Sequence, residues 1–237
     1  MAVNQLLDRL LEYAGSIGDP RIRQVVQDML KDPVLTFTDA RPLVALHESP
    51  AAPRKHHFFT GGLLLHTLGV VELAVRIRDY VETVYGLRAD RDLVVAAAIL
   101  HDLFKYYQYE KDEVEGGYKP RSDWFVSHDY SLTAELARRG APDRLIRAVA
   151  EAHGLQPFTT LEGLIVHIAD SADARFVDVL QQVLVNNLKT LDKEGCNPIK
   201  VIDEKARRAG ANRVFEGLFE GREKLIESFK PYCGGGS

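Results

Sequence analysis

The stretch Leu93–Leu100, LVVAAAIL, is apolar at eight consecutive positions and runs directly into His101 and Asp102. Asp90 or Asp92 can cap a helix there, and neither glycine nor proline interrupts it. A helix with no polar face has to be enclosed by other elements on every side. Eight residues are too few to span a bilayer, so the enclosure is protein. The chain must therefore build a helical shell around this segment, and the segment ends by delivering an imidazole and a carboxylate into the interior.

The remaining sequence supplies that shell. Leu6, Leu7, Leu10 and Leu11 form an apolar stripe closed by Gly15 and Gly18. Pro20 opens a second helix with Ile22, Val25, Val26, Met29 and Leu30 inward, stopped near Pro33. Three prolines between Pro42 and Pro53 mark a connector. From Gly62 to Tyr85, Leu63, His66, Val70, Leu73, Ile77 and Val81 recur at spacings of three and four, and Gly86 ends the run. Residues 106–127 are charged, aromatic and glycine-rich, and read as a loop or lid. Ser127 then caps a helix to Arg138, Pro142 opens one to about His153, and another runs from Thr160 to about Leu191. After a break at 193–198, a last amphipathic helix or pair reaches about Lys230. No strand and no repeat is predicted, so the fold class is all-α. The expected division is a helical extension over 1–49, a central domain over 50–190, a C-terminal helical extension over 191–233, and a linker or tag scar over 234–237.

At 237 residues a chain buries roughly 70% of its unfolded surface and needs no metal or disulfide to hold its core. Any metal is then expected to be functional rather than structural. Thirty basic against 34 acidic residues give a net charge of −4, unlike a protein that coats nucleic acid. Cys196 and Cys233 are far apart with no CxxC, which argues against a disulfide scaffold or thiolate zinc site and fits a reducing cytoplasm. The N-terminus reads as an amphipathic helix rather than a signal peptide. The expected location is cytoplasmic, with no membrane partner.

Chemistry concentrates in the placement of histidines and aspartates. His66 falls on the inward face of its helix, His101 and Asp102 end the buried one, His128 begins a helix, His153 ends one, and Asp170 lies beside Ile165, Val166 and Ala169. Such groups are costly to bury unless paired or metal-bound. Imidazole plus carboxylate without thiolate suits Mn²⁺, Fe²⁺, Mg²⁺, Ni²⁺ or Zn²⁺. Asp102, central among the histidines, is the natural bridge between two ions.

The ordered series HHFFTGGLLLHT, AAAILHDLFK, SHDYS, AEAHG and IVHIADSADA, over about residues 50–178, resembles the signature of the HD superfamily of metal-dependent phosphohydrolases. More narrowly, SPAAPRKHHFFTGGLLLHT is similar to the start of the HD domain in YhaM-type 3′–5′ exoribonucleases. The resemblance implies an HD-domain helical bundle in which His66, His101, Asp102 and Asp170 hold a first divalent ion. His128 and His153, with Asp102, would hold a second. Lys105 in HDLFK matches a lysine that steadies a substrate phosphate or the attacking water, so Asp102 and Lys105 are the expected catalytic pair. Lys55 and His57, just before Gly61-Gly62, are candidate phosphate contacts. The first 50 residues look helical and too few for the OB-fold that precedes the domain in YhaM-type enzymes. The GYP element of cyclic-di-GMP phosphodiesterases is absent.

Weaker features stay open at this level. Phe104, Tyr106, Tyr107, Tyr109 and Trp124 could stack on a base or pack the core. Asp173 and His167 could orient the ligands or lie in surface ion pairs. Arg138, Arg139, Arg144 and Arg147 could steer an anion or simply be solvated. Val214, Phe215, Leu218, Phe219, Leu225 and Ile226 could form a homodimer face or pack within the chain. The expected activity is hydrolysis of a phosphoester of a nucleotide, cyclic nucleotide or short single-stranded oligonucleotide by metal-activated water. A di-iron oxygenase and a nucleotide-binding module without turnover are the alternatives.

Overall fold

The computed structural model describes residues 3–193 and 195–234. Its helices are α1 (Val3–Gly15), α2 (Pro20–Lys31), α3 (Gly62–Tyr85), α4 (Arg91–Leu100), α5 (His128–Arg138), α6 (Asp143–Glu151), α7 (Leu161–Asp192), α8 (Pro198–Ala209) and α9 (Arg222–Phe229). The fold is all-α, as the periodicity predicts. Side-chain caps fix several of the starts. Asp19 accepts from the Arg21 and Ile22 N–H groups ahead of Pro20, Asp90 from Asp92, Ser127 from Tyr130, and Thr160 from Gly163. Pro142 stands one residue before α6, as its cap residue.

Every residue from Leu93 to Leu100 is buried. α4 packs against α1, α2, α3, α6 and α7, which is the enclosure that its missing polar face demands. α3 and α7 pack along each other beside it. At 1.5 Å per residue the 32 residues of α7 run for about 48 Å. One helix can thus carry Asp170 to the centre and still reach α8 and α9 with its far half.

Two expectations change here, and one question left open is answered. Residues 106–127 are not all loop. Lys105–Gln108 forms a 3₁₀ turn, and β1 (Tyr109–Lys111) pairs antiparallel with β2 (Tyr118–Pro120), Glu110 opposite Lys119. The strands are too short for an alternating pattern to show in sequence, and what anchors them is Tyr109 and Tyr118 packing on Val44. Second, Cys196 and Cys233 are joined as a disulfide with Cα atoms 5.5 Å apart. Their 37-residue separation conceals this because α8 and α9 fold back on α7 and on each other. Third, the C-terminal apolar residues, left open between a homodimer face and packing within the chain, are mostly interior. Val214, Leu218 and Leu225 are buried, Phe215 packs on Phe59, and only Phe219 is largely exposed. The 234–237 tail lies outside the described residues after Gly234. Among the described residues no helix is long and apolar enough to cross a membrane.

Candidate metal centre

The site is assembled where the ends of α4, α5 and α6 meet the flanks of α3 and α7. α3 begins against the turn that carries His56 and His57. A Cβ on Gly62 would lie 2.1 Å from the His57 carbonyl oxygen, so only glycine permits this approach. His57 itself holds φ 52°, a left-handed conformation that non-glycine residues seldom adopt. One turn into α3, His66 is fully buried. His101, at the C-terminus of α4, has Nδ1 2.8 Å from the Ala98 carbonyl, to which it donates, leaving the Nε2 lone pair free.

Two donor clusters result. In the first, His66 Nε2 lies 3.1 Å from Asp170 Oδ1 and 3.5 Å from Asp102 Oδ2. His101 Nε2 lies 3.5 Å from the same Asp102 oxygen and 3.8 Å from Asp170 Oδ1. In the second, Asp102 Oδ1 is 3.2 Å from His128 Nε2 and 3.5 Å from His153 Nε2, and those two nitrogens are 3.3 Å apart. The carboxylate of Asp102, completely buried, serves both clusters with different oxygens.

His66 Nε2, His101 Nε2, Asp102 Oδ1 and Asp129 Oδ1 are buried with no hydrogen-bond partner. Buried polar atoms are almost always satisfied, so four orphans converging on one region mark a missing partner. A divalent cation fits them: it takes lone pairs from neutral imidazole and carboxylate, and no donated proton is needed.

The profile of the HD domain family matches residues 63–175. A Methanocaldococcus jannaschii protein, dihydroneopterin 2′,3′-cyclic phosphate phosphodiesterase, is 32% identical over 234 residues, covering 94% of this chain and 89% of that one. The chain belongs to the HD domain family. The 3′–5′ exoribonuclease YhaM of Bacillus subtilis is 27% identical over 185 residues, and that of Bacillus velezensis 27% over 187. Each match covers 73% of this HD-domain chain and 54–55% of the exoribonuclease, so the chain spans about half of those relatives. No solved structure gives a significant match.

HD-domain proteins bind divalent metal, and the electrostatics of this one favour a cation. Burial pushes His101 down to about 4, keeping it a neutral ligand. Burial also opposes charge on His153, but the hydrogen bond with Asp170 and the charges of Asp102 and Asp129 prevail and raise it to about 9. Asp170 is raised by burial and lowered more strongly by His153 and His66, so it stays ionised. Lys105 Nζ sits 2.6 Å from Asp102 Oδ2; burial disfavours its charge, and the carboxylate outweighs burial and raises its pKa.

The other expected residues divide. Asp173 accepts from His66 Nδ1 at 2.7 Å, the orienting role considered for it. His167 instead donates to or accepts from nothing in the clusters; its Nδ1 faces the Ala152 carbonyl. His57 is buried with Nε2 3.8 Å from Asp173. Lys55 is exposed, and its contact inward is its carbonyl, which accepts from Gln181 Nε2 at 2.5 Å. Phe104, Tyr106, Tyr107 and Tyr109 are buried and Trp124 packs on Tyr107, so these aromatics are core and offer no open stacking platform. Arg139 pairs with Glu135, and Arg144 with Asp19 and Asp90. Two residues at the site are not evident from sequence. His56 has its ring centroid 4.8 Å from that of His66, and Asp129 borders the second cluster. Both stand next to candidate residues, in KHHFF and SHDYS, and adjacency is the one signal the sequence offers for them.

Proposed function

We propose that this protein is a metal-dependent phosphodiesterase that opens a small 2′,3′-cyclic phosphate. The observation that carries the reading is Asp102, whose two oxygens face two separate imidazole–carboxylate clusters. His66, His101, Asp102 and Asp170 would hold one divalent ion, and Asp102, His128 and His153 a second. Ions there supply Lewis-acid stabilisation of charge on phosphoryl oxygens and acidify water toward neutral pH. The cyclic phosphate follows the M. jannaschii relative, which aligns with 94% of the chain and is named for such a substrate.

The chain's own groups position the ester. Lys105 holds Asp102 with one N–H and has two more to offer a phosphoryl oxygen. Burial pushes His56 down to about 3 and His57 well below its ordinary value, so both are neutral donors that add no charge. Hydrolysis forms one bond from water oxygen to phosphorus and breaks the bond to the 2′ or 3′ oxygen. That oxygen leaves with a proton, and the product is a phosphomonoester.

The test is ³¹P NMR of protein reconstituted with Mn²⁺ or anaerobic Fe²⁺, given dihydroneopterin 2′,3′-cyclic phosphate, 2′,3′-cyclic AMP or single-stranded RNA. Conversion of the cyclic phosphates to monoesters is expected. Degradation of RNA to mononucleotides with the cyclic phosphates untouched would replace this reading with an exoribonuclease.

A further inference from the structure

We infer that Asp129 is a further protein donor of the second cluster, giving it two carboxylates and two imidazoles like the first. The inference rests on the clusters being metal sites and is independent of which phosphoester is cut. Asp129 is the second residue of α5, immediately after His128. Its Oδ1 lies 3.2 Å from His153 Nε2 and 3.5 Å from His128 Nε2. Asp102 Oδ1 lies 3.5 Å and 3.2 Å from the same two nitrogens, so the two carboxylates stand to the imidazole pair at matching distances. Asp102, His128 and His153 form one triple of donors there, and Asp129 makes a second with the same two imidazoles, whose nitrogens are 3.3 Å apart.

The surroundings leave this carboxylate no other use. Capping of α5 is done by Ser127, whose Oγ accepts from the Tyr130 N–H. Among the described residues no lysine or arginine pairs with Asp129; its ion-pair contacts are His128 and His153 alone. Its Oδ1 is buried and makes no hydrogen bond, while a fifth of the side chain is exposed. A carboxylate oxygen buried without a hydrogen bond beside two imidazole nitrogens is costly unless it faces a positive charge. Donors bound to one small divalent ion at about 2.0–2.2 Å stand about 3.0–3.5 Å apart, and all five separations within this group fall in that range.

The arrangement has a consequence for occupancy. With Asp102 shared between the clusters, Asp170 is the carboxylate particular to the first and Asp129 the one particular to the second. Removing the Asp129 charge should weaken the second ion and leave the first.

Metal-free protein, prepared with chelator and dialysed, is titrated with Mn²⁺ by calorimetry and with Co²⁺ by visible absorption. Wild type should bind two ions. Asp129→Asn should keep the first at unchanged affinity and lose at least about tenfold for the second, with an altered Co²⁺ spectrum. Asp129→Glu should recover part of the loss. Circular dichroism melts of the metal-free variants establish that α5 is intact. Two ions bound by Asp129→Asn with wild-type affinities and spectrum overturn the inference. No ion bound by wild type overturns the metal centre itself, and with it the proposed function.

Discussion

Asp173 accepts a hydrogen bond from His66 Nδ1 at 2.7 Å, and this bond decides which nitrogen of His66 faces the donor cluster. Both residues depend on Gly69, which lies on α3 against Asp173 of α7, where a Cβ would come within 2.4 Å of the Asp173 carboxylate. Gly69→Ala should therefore displace Asp173 and free the imidazole to turn. Loss of an orienting partner typically costs 10–100-fold in metal affinity. Alanine is also the better helix former by about 0.5–1 kcal/mol, which offsets part of the packing strain. Mn²⁺ titration together with a thermal melt checks this: affinity falls while the melt moves little. Unchanged affinity would show that Asp173 does not orient His66.

Asp102→Ala removes an oxygen from both clusters at once, whereas His128→Ala removes a donor from the second alone. Metal analysis of purified protein should find two ions in wild type, about one in His128→Ala, and less than one in Asp102→Ala. Turnover of a cyclic phosphate should drop at least about 10³-fold in Asp102→Ala, equivalent to about 4 kcal/mol of transition-state stabilisation. Full activity in that variant would remove Asp102 from the mechanism.

Lys105→Ala leaves Asp102 as a buried charge without its lysine. Breaking one side of a buried pair costs about 3–5 kcal/mol. Divalent cations facing Asp102 would relieve that cost, so the variant should be strongly destabilised as metal-free protein and much less with Mn²⁺ present. Differential scanning calorimetry of both forms reads the difference. An equal drop in both would mean that Lys105 acts by packing alone.

The disulfide between Cys196 and Cys233 ties the end of the chain to the turn after α7. For a loop of 37 residues, chain-entropy arguments give about 4 kcal/mol of stabilisation. Dithiothreitol should lower the melting temperature and expose two titratable thiols, while Mn²⁺ stoichiometry at 25 °C stays the same because no donor lies beyond Asp170. Identical melts with the thiols shown to be free would remove the stabilising role.

Asp19 should make stability depend on acid pH. The Ile22 N–H bond, with Arg21 and Arg144, holds its carboxyl below the ordinary 3.8. A carboxylate depressed in the folded state adds stability above its unfolded value and loses it as pH falls through the folded one. Asp19→Asn, which keeps a capping side chain, should therefore show a shallower decline of melting temperature between about pH 5 and pH 2 than wild type. Parallel curves would assign the acid sensitivity elsewhere.

The sequence by itself determined the helices and the residues at their ends. Caps, prolines and terminal glycines are local, so α3 could be read from Gly62 to Tyr85, and the run Leu93–Leu100 could be recognised as the enclosed centre. The ordered histidines and aspartates could be read as one constellation because each stood at a helix end or on an inward face. What only the tertiary structure decided concerns distance between segments. The sequence could name Asp102 as a bridge, but which of its oxygens faces which cluster, and that Asp129 lies 3.2 Å from His153, depend on how α4, α5 and α6 end against one another. Whether the tyrosines after His101 stack on a ligand or fill the core depended on the main core for Tyr106 and Tyr107, and for Tyr109 on Val44 and the β1–β2 hairpin, too short to announce itself. Cys196 and Cys233 meet, and the C-terminal apolar face turns inward, because α8 and α9 fold back on α7. Periodicity records which side of a helix is apolar; it carries no record of what will cover that side.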